Sequence, residues 1–435
     1  MEDISNYYGR LVLKSRFESV EDQRIKILPS FDKNGRCQRC RQRTVCPLPN
    51  QEYFCTTCLK MGRNSSLNCF WYAEDICGKE QKSCLDWDGQ LTSQQQKVSG
   101  EIIASINNRT NRLIWAVTGA GKTEMIFPAI DHVIKKGGRV AVVSPRIDVI
   151  LELAPRLRKA FSKLDLVLLY GDTPEEYHYT KLVLATTHQL LKFSHAFDLL
   201  IIDEVDSFPF RGDSILESAA FHARKKIGST IYLTATPTKK LIDAYQKNQL
   251  DTSFLPLRFH QHLLPELTFS RIGDWRKRIM KNHLPRKLKI QIKKYQKNGQ
   301  RFLLFVPKVN DLKNTLKAIE SFFTIKGLFV HASDPDRKSK VQQMRDKKIQ
   351  FLVTTTILER GVTFPGIDVI ILGADNQIFS INAIVQIAGR VGRNRDRPNG
   401  LVLALIEEKT QVLTQAARQI RFMNKKGLKQ LNNVQ

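Results

Sequence analysis

The stretch AVTGAGKTE, residues 116–124, follows the apolar run RLIWAV and opens the helix-compatible run KTEMIFPAIDHVIKK. A strand, a glycine-rich turn and a helix in this order are the context of a phosphate-binding loop with the pattern G-x-x-x-x-G-K-[ST]. Ala116 stands at the first glycine of that pattern. Because this position ends the strand, far from the phosphates, a methyl group is tolerable there if φ stays negative. The stretch therefore predicts a nucleotide site on an α/β fold.

Each residue type of the loop has a defined role in binding a nucleotide. Glycines let backbone N–H groups turn inward around phosphate at a helix N-terminus, the lysine adds a positive charge near the β and γ phosphates, and the threonine can ligand Mg²⁺. We expect ATP to be held by Thr118, Gly119, Ala120, Gly121, Lys122 and Thr123. A degenerate or accidental loop is the alternative, so a second motif is needed.

Two carboxylates end the apolar strand of LLIIDEVDSF, and they suit different tasks. Asp203 can hold Mg²⁺ through water, while Glu204 can orient and polarise the water that attacks the γ-phosphate. An acidic cluster after a strand is by itself more often a solvated loop. Because this one follows a phosphate loop with βα units between them, the combination predicts ATP hydrolysis.

The apolar runs form two series, which predict two tandem α/β domains with parallel sheets. Residues about 250 to 300, between the two series, show no strand rhythm and become strongly basic. The first residues carry the cysteines and predict a small separate module. We expect the boundaries at 1–90 for this module, 91–250 for the ATP-binding domain, 251–300 for a linker and basic helix, and 301–435 for the second domain.

All eight cysteines fall between residues 37 and 84, which in a large cytosolic protein suggests metal ligation. Two C-x-x-C knuckles separated by fourteen residues match a tetrahedral structural Zn²⁺ site. The expected ligands are Cys37, Cys40, Cys55 and Cys58. Cys46 could replace one of these ligands. We expect Cys69, Cys77 and Cys84 to be mostly free or packed thiols.

The charge of the chain points to a polyanionic partner. Lys and Arg outnumber Asp and Glu by 69 to 42, which gives a net charge of +27. Nucleic acid and an anionic membrane surface are the candidates. Arginines around the first knuckle and the aromatic residues of CFWYAED could contact nucleic acid, although a solvated face and the module's own core are the alternatives. Without an apolar span or a signal segment, we expect a cytoplasmic protein.

The motifs together resemble those of superfamily 2 helicases and translocases, in the same order. The resembling segments are LTSQQ (91–95), SPR (144–146), ATTHQLL (185–191), TATP (234–237), FVP (305–307), TTTILERGVTFPGIDVII (354–371) and QIAGRVGR (386–393). The resemblance implies that the two parallel-sheet domains are RecA-like. It also implies that Gln95 reads the adenine base and that Arg390 and Arg393 act as arginine fingers on the γ-phosphate. ATP would then close the cleft between the domains, and hydrolysis would reopen it.

The zinc module ahead of the motor, the basicity and the segment TTTILERGVTFP resemble the ComFA family of late-competence ATPases of naturally transformable Gram-positive bacteria. The resemblance implies an ATP-driven motor on incoming single-stranded DNA. It also implies a position at the cytoplasmic face of the membrane DNA-import channel, other competence proteins as partners, and a homo-oligomer as one form of assembly.

Two alternatives stay open. One is a repair or restart helicase that unwinds duplex DNA, although no separating wedge is recognisable in the sequence. The other is a zinc-dependent protein that binds single-stranded DNA and releases it at intervals timed by ATP. The motor hypothesis differs from the second alternative because it requires ATP turnover and DNA binding to be coupled.

Overall fold

The computed structural model describes residues 3–76, 78–171, 173, 175–359 and 364–432. The chain forms two compact units. The first contains Met1–Trp115 and Lys122–Phe254, and the second contains Ala116–Gly121 and Leu255–Gln435. Cys77 and residues 360–363 of the segment 354–371 lie outside the described residues. In the described part of the chain, no helix is both long and apolar enough to cross a membrane.

The N-terminal part of the first unit is a small β module. Its strands are β1 (Val12–Ser15), β2 (Lys26–Pro29), β3 (Val45–Pro47), β4 (Tyr53–Cys55) and β5 (Asn68–Tyr72). Among the described residues, one antiparallel sheet has the order β1-β5-β2 and a second consists of β3 and β4. Phe70, Trp71 and Tyr72 are buried, so the aromatic residues of β5 form the module's own core.

A larger sheet forms the rest of the first unit. Its strands are β6 (Arg112–Ala116), β7 (Val140–Ser144), β8 (Leu166–Leu169), β9 (Leu182–Thr186), β10 (Phe197–Asp203), β11 (Arg224–Thr234) and β12 (Asp251–Leu255). Within the described ranges, their order is β12-β6-β11-β10-β7-β9-β8. The helices of this unit are α1 (Ser93–Asn107), α2 (Lys122–Met125), α3 (Phe127–Lys135), α4 (Ile147–Ala160), α5 (Ser214–Ala223) and α6 (Lys239–Gln246).

The central strands are apolar along most of their length because both faces of the sheet are covered. Every residue of β7 and β9 is buried. In the sheet order β6-β11-β10-β7-β9-β8, each pair of neighbouring strands is parallel. Parallel sheets covered on both faces have continuous apolar strands instead of an alternating pattern. This explains why the sequence shows runs such as VAVVS and LVLAT.

The second unit contains a parallel sheet of its own. Its strands are β13 (Leu267–Arg271), β14 (Phe302–Phe305), β15 (Gly327–Val330), β16 (Phe351–Thr354), β17 (Asp368–Leu372) and β18 (Val402–Ile406). For the described residues the order is β13-β18-β17-β14-β16-β15, and all neighbouring pairs are parallel. The helices are α7 (Trp275–Met280), α8 (Arg286–Lys297), α9 (Val309–Glu320), α10 (Arg337–Arg345), α11 (Ile381–Ala388) and α12 (Gln411–Asn432).

The region from 250 to 300 differs from the sequence-based expectation. It contains α7 and the basic helix α8, but it also contains the strands β12 and β13. Both are edge strands of their sheets. None of the residues of β13 is fully buried. An edge strand of this kind needs few apolar residues, so it leaves no strand rhythm in the sequence.

A buried arginine joins the β module to the larger sheet of the first unit. Arg139, with a side chain that is 0% exposed, lies 3.3 Å from Oδ2 of Asp75. It also donates to the carbonyl oxygens of Tyr8 and Thr180 and to the hydroxyl of Tyr177. The guanidinium group thus connects the segment after β5, the N-terminal segment and the segment before β9. Breaking a buried pair leaves an uncompensated charge, which is strongly destabilising.

We therefore predict that Arg139→Met lowers the free energy of unfolding of the first unit by about 3–5 kcal/mol, because Asp75 is left buried without its cation. Urea denaturation followed by tryptophan fluorescence measures the loss. The double variant Arg139→Met, Asp75→Asn is the control and is expected to recover part of it. A loss below about 1 kcal/mol in the single variant would show that the pair does not hold the module in place.

Candidate active site

Three neighbouring strands bring the motifs of the first unit to one edge of its sheet. The order β6-β11-β10 places the end of β6, after which the loop begins, beside the end of β11, where TATP begins, and the end of β10, which carries the carboxylates. Trp115 pairs with Thr234, and Asp203 pairs with Leu233. Because parallel strands share one direction, these carboxyl ends meet at the same edge. This is the usual position of ligand sites in open α/β sheets.

The phosphate loop has the backbone that its sequence predicts. Gly119 and Gly121 have φ angles of 82° and 72°, a conformation that side chains disfavour and glycine allows. Ala116 is the buried last residue of β6, so its extended backbone does not require glycine. Helix α2 begins at Lys122, and Thr123 is buried within it. The N–H groups of the loop and of this helix start can bind phosphate oxygens.

The lysine of the loop and the first carboxylate lie close together in the first unit. Lys122 Nζ is 3.5 Å from Oδ1 of Asp203. The same carboxylate oxygen accepts a hydrogen bond of 2.8 Å from the backbone N–H of Glu204. Asp203 is buried and Lys122 is half-buried, so the pair is partly shielded from solvent. A lysine and a carboxylate placed in this way can bind a phosphate oxygen and Mg²⁺, respectively.

Glu204 has an unusual backbone. Its φ of 53° lies in the left-handed region, which is uncommon for residues other than glycine and is found at functional sites. The turn is held by a hydrogen bond of 2.8 Å from Ser207 N–H to the Glu204 carbonyl and one of 3.1 Å from the Ser207 hydroxyl to Oε2. The carboxylate is therefore fixed just beyond the strand end, beside Asp203, where it can orient a water molecule.

Asp206 links the acidic segment to TATP, a role that sequence reasoning missed. Its Oδ1 accepts a hydrogen bond of 2.6 Å from the Thr234 hydroxyl, and its Oδ2 accepts one of 2.5 Å from the Thr236 hydroxyl. All three residues are buried. The available signal was the last aspartate of DEVD together with two threonines in TATP, which could satisfy both oxygens of one buried carboxylate.

Gln95 is placed in the first turn of α1. Its side-chain oxygen accepts a hydrogen bond of 2.9 Å from the N–H of Thr92, and the Thr92 hydroxyl accepts one of 3.3 Å from the Gln95 N–H. This reciprocal pair is a capping box that fixes the start of the helix. Gln95 is buried, and α1 packs against α2, the helix that begins at Lys122.

Arg390 and Arg393 lie in the second unit, directly after α11. The Arg390 side chain is buried, and its Nε donates to the Glu359 carbonyl at 3.1 Å. Nε of Arg393 donates to the Gly389 carbonyl at 3.0 Å. The loop residues Ala116–Gly121 belong to the same unit, where the Thr118 hydroxyl donates to the Gly389 carbonyl at 3.4 Å. The structure thus brings the start of the phosphate loop to the segment that carries both arginines.

Four cysteines of the β module form a buried cluster. Their sulfur atoms lie within 4.8 Å of one another, with 3.7 Å between Cys37 and Cys58 and 3.5 Å between Cys40 and Cys55. Tetrahedral Zn²⁺ with bonds of about 2.3 Å places its sulfur ligands about 3.8 Å apart, so the cluster fits this ion. Asn64 Nδ2 donates to the Cys37 sulfur at 3.1 Å, a contact that orients a ligand.

The other cysteines and the neighbouring arginine of the module have different surroundings. Cys46 lies on β3, outside the cluster, and Cys69 is buried in the module's core. Arg39, between the two cysteines of the first knuckle, is buried and donates to the carbonyl oxygens of Met61 and Gly62, so this arginine stabilises the module.

Two protein families match parts of this chain. Residues 88–239 match "Type III restriction enzyme, res subunit", and residues 282–395 match "Helicase conserved C-terminal domain". Among solved structures, Saccharomyces cerevisiae Dbp5 bound to RNA and ADP BeF3 covers 77% of this chain and 88% of its own, with a TM-score of 0.55 at 13% identity. The predicted fold of two RecA-like parallel-sheet domains with an N-terminal cysteine module is therefore confirmed.

Curated relatives decide the family. The chain is 40% identical over 407 residues to "Competence protein ComFA" of Bacillus subtilis, covering 91% of this chain and 86% of that protein. It is 39% identical over 431 residues to "Competence protein ComFA" of Streptococcus pneumoniae, covering 97% and 98%. With the helicase domains, these relatives make the chain a superfamily 2 ATPase. The chain belongs to the ComFA family of competence proteins.

Proposed function

We propose that the protein is an ATP-driven translocase that moves along single-stranded DNA and drives its import during natural competence. The supporting observation is the sheet edge that holds the phosphate loop, the carboxylates and TATP, in a chain 39% identical to a competence protein over 431 residues. The charge of +27 favours a polyanionic track. The adenine contact of Gln95 remains part of this proposal.

The residues of the site divide the work of ATP hydrolysis. Loop N–H groups and Lys122 bind the phosphates, while Thr123 and Asp203 would hold Mg²⁺, which when bound neutralises charge on the β and γ phosphates. Glu204 orients the attacking water and accepts its proton. Arg390 and Arg393 stabilise the charge that develops on the γ-phosphate. No covalent intermediate is needed, because positioning and electrostatics supply the catalysis.

The hydrogen bonds of Asp206 connect the residues proposed for hydrolysis to TATP and, through it, to α6. Asp206 lies two residues after Glu204 in the acidic segment and binds both threonines of TATP. The chain continues from TATP to Thr238, whose hydroxyl caps α6. A displacement of the acidic segment on phosphate release is therefore transmitted to TATP and α6. Such a two-state element is what a motor requires to convert a chemical step into motion.

The physiological setting belongs to the same proposal. The partners are other competence proteins and the membrane DNA-import channel, with the protein cytoplasmic and peripheral at the inner face of the membrane. A homo-oligomer is the proposed assembly. The basic composition supports attraction to an anionic membrane surface as well as to DNA. The four-cysteine cluster is proposed to hold one structural Zn²⁺ that stabilises the β module.

We predict that single-stranded DNA strongly stimulates ATP hydrolysis by the wild-type protein and that Lys122→Ala lowers kcat about 100-fold or more, because the phosphates lose their cation. Steady-state phosphate release is measured at fixed salt without polymer and with single-stranded DNA, duplex DNA or RNA. Lys247→Ala, at an exposed position after α6, is the matched control and is expected to behave as wild type.

Equal rates with and without every polymer would contradict the motor. Strand separation on a forked duplex is measured in parallel. Robust unwinding would favour a repair or restart helicase over the import function. Turnover that stays normal while DNA binding is lost in a zinc-site variant would favour the zinc-dependent binding protein.

A second prediction concerns zinc. Cys40→Ser is expected to remove the bound Zn²⁺ and to lower the melting temperature, because the module loses a thiolate ligand of its metal. Cys46→Ser is the matched control, since Cys46 lies outside the cluster and is half-buried on β3. It is expected to keep one Zn²⁺ per chain, measured by elemental analysis. Loss of metal in the control, or its retention in Cys40→Ser, would refute the assignment of ligands.

A third prediction concerns coupling. Asp206→Asn is expected to separate hydrolysis from DNA, because an amide offers one acceptor oxygen where Asp206 uses two. We expect stimulation of ATP turnover by single-stranded DNA to fall about tenfold, with a smaller change in turnover without DNA. Glu152→Gln, at an exposed position on α4 in the same unit, is the control. A parallel loss of both rates would show that Asp206 acts only on the chemical step or on the fold.

A further inference from the structure

Arg258 is a buried cation that the functions described above leave unexplained. The residue is only 1% exposed to solvent. Its Nη2 donates to the Gly389 carbonyl at the long distance of 3.4 Å. Among the residues that the structure describes, Nε and Nη1 have no hydrogen-bond partner. Buried charges in proteins are normally paired and hydrogen-bonded, so this arrangement requires a cause.

The surroundings of Arg258 are residues Ala116–Gly121 of the phosphate loop and the arginine segment, all within the second unit. The next residue, Phe259, donates its N–H to the Gly119 carbonyl at 2.9 Å. A Cβ at Gly119 would lie 3.9 Å from Cγ of Arg258, and one at Gly392 would lie 2.8 Å from its Nη1. The side chain therefore runs from the loop to the segment that carries Arg390 and Arg393.

Among the described residues, no salt bridge compensates this guanidinium group. Burial and, after it, the positive charge of Arg393 lower the pKa of Arg258 to about 9. Arg393 Nε and Arg258 Nη2 donate to the same carbonyl oxygen, that of Gly389, so two cations lie near each other. A bound anion would relieve both the repulsion and the cost of burial. The donors of arginine form a planar fork that suits phosphate oxygens.

The backbone holds this side chain in a fixed place. Arg258 N–H donates to the His262 carbonyl at 3.1 Å, and Gln261 N–H donates to the Arg258 carbonyl at 2.8 Å, which closes a tight turn. His260 Nε2 lies 3.0 Å from the Gly392 carbonyl oxygen. The turn that carries Arg258 is thus attached to the phosphate loop on one side and to the arginine segment on the other. Such preorganisation lowers the entropic cost of binding.

We propose that Arg258 is a third arginine of the nucleotide site, which binds the terminal phosphate of a nucleoside triphosphate and distinguishes it from a diphosphate. The inference rests on the proposed function, because it takes the loop to be an ATP site. The terminal phosphate is chosen because Arg258 lies beside the segment of the two proposed arginine fingers. In the protein without nucleotide, burial disfavours the charged guanidinium group, and the triphosphate supplies its counter-charge.

The test compares nucleotide binding by the full-length, zinc-loaded protein and its variants. Affinities for adenylyl imidodiphosphate and for ADP, each with Mg²⁺, are measured by isothermal titration without DNA. Arg258→Gln is expected to weaken binding of the triphosphate analogue about tenfold or more and that of ADP by less than about threefold. Arg258→Lys keeps the charge without the fork and is expected to lie between. Arg271→Gln, at an exposed position in β13, is the matched control.

Melting temperatures without nucleotide separate binding from a structural role. Removal of an uncompensated buried charge is expected to leave the apo melting temperature unchanged or higher in Arg258→Gln, while the shift produced by the triphosphate analogue shrinks. A lower apo melting temperature with an undiminished shift would overturn the proposal. Equal losses of triphosphate and diphosphate affinity would overturn the assignment to the terminal phosphate.

Lys122→Ala distinguishes this inference from the proposed function. If Lys122→Ala loses nucleotide affinity and Arg258→Gln does not, the ATP site stands and the inference about Arg258 fails. If neither variant changes the affinity, the loop is not the nucleotide site and both fail.

Discussion

The strand order β6-β11-β10 is the constraint on which the proposed motor depends. It brings three segments that are distant in the sequence to one edge of a parallel sheet. The phosphate loop follows the first strand, TATP the second and the carboxylates the third. Since TATP lies between the other two, Asp206 can bind its threonines and Lys122 can approach Asp203. One topological feature thus brings together the residues proposed for hydrolysis and the hydrogen bonds through which a displacement of the acidic segment would reach TATP.

The β module is an integral part of the first unit. Its buried cysteines belong to the same apolar cluster as residues of β7 and β9, and Arg139 ties the segment after β5 to the sheet. A structural metal in this module would therefore stabilise the unit that carries Lys122 and Asp203. Zinc loss is expected to act on the motor through the fold, and this links the two proposed sites without any direct chemical role for the metal.

Local patterns in the sequence were sufficient for the fold class, and they also singled out the loop, the carboxylates and the cysteine knuckles as candidate sites. Each of these is encoded within a few residues, where spacing alone carries the chemistry. Asp206 was missed because its role depends on threonines in another strand. Arg139 and Arg258 carried no signal, since an isolated arginine is usually solvated. Their neighbours are distant in the sequence. Arg139 pairs with Asp75, which is 64 residues away, and Arg258 lies beside Gly389, which is 131 residues away.

Directional movement is the central claim, and displacement of streptavidin from biotinylated single-stranded oligonucleotides tests it most directly. The biotin is placed at the 5′ end of one oligonucleotide and the 3′ end of another. We expect the wild-type protein to displace streptavidin from one end only, with ATP but not with adenylyl imidodiphosphate. Hydrolysis stimulated by DNA without displacement from either end would contradict the account, because the energy of ATP would then not drive movement.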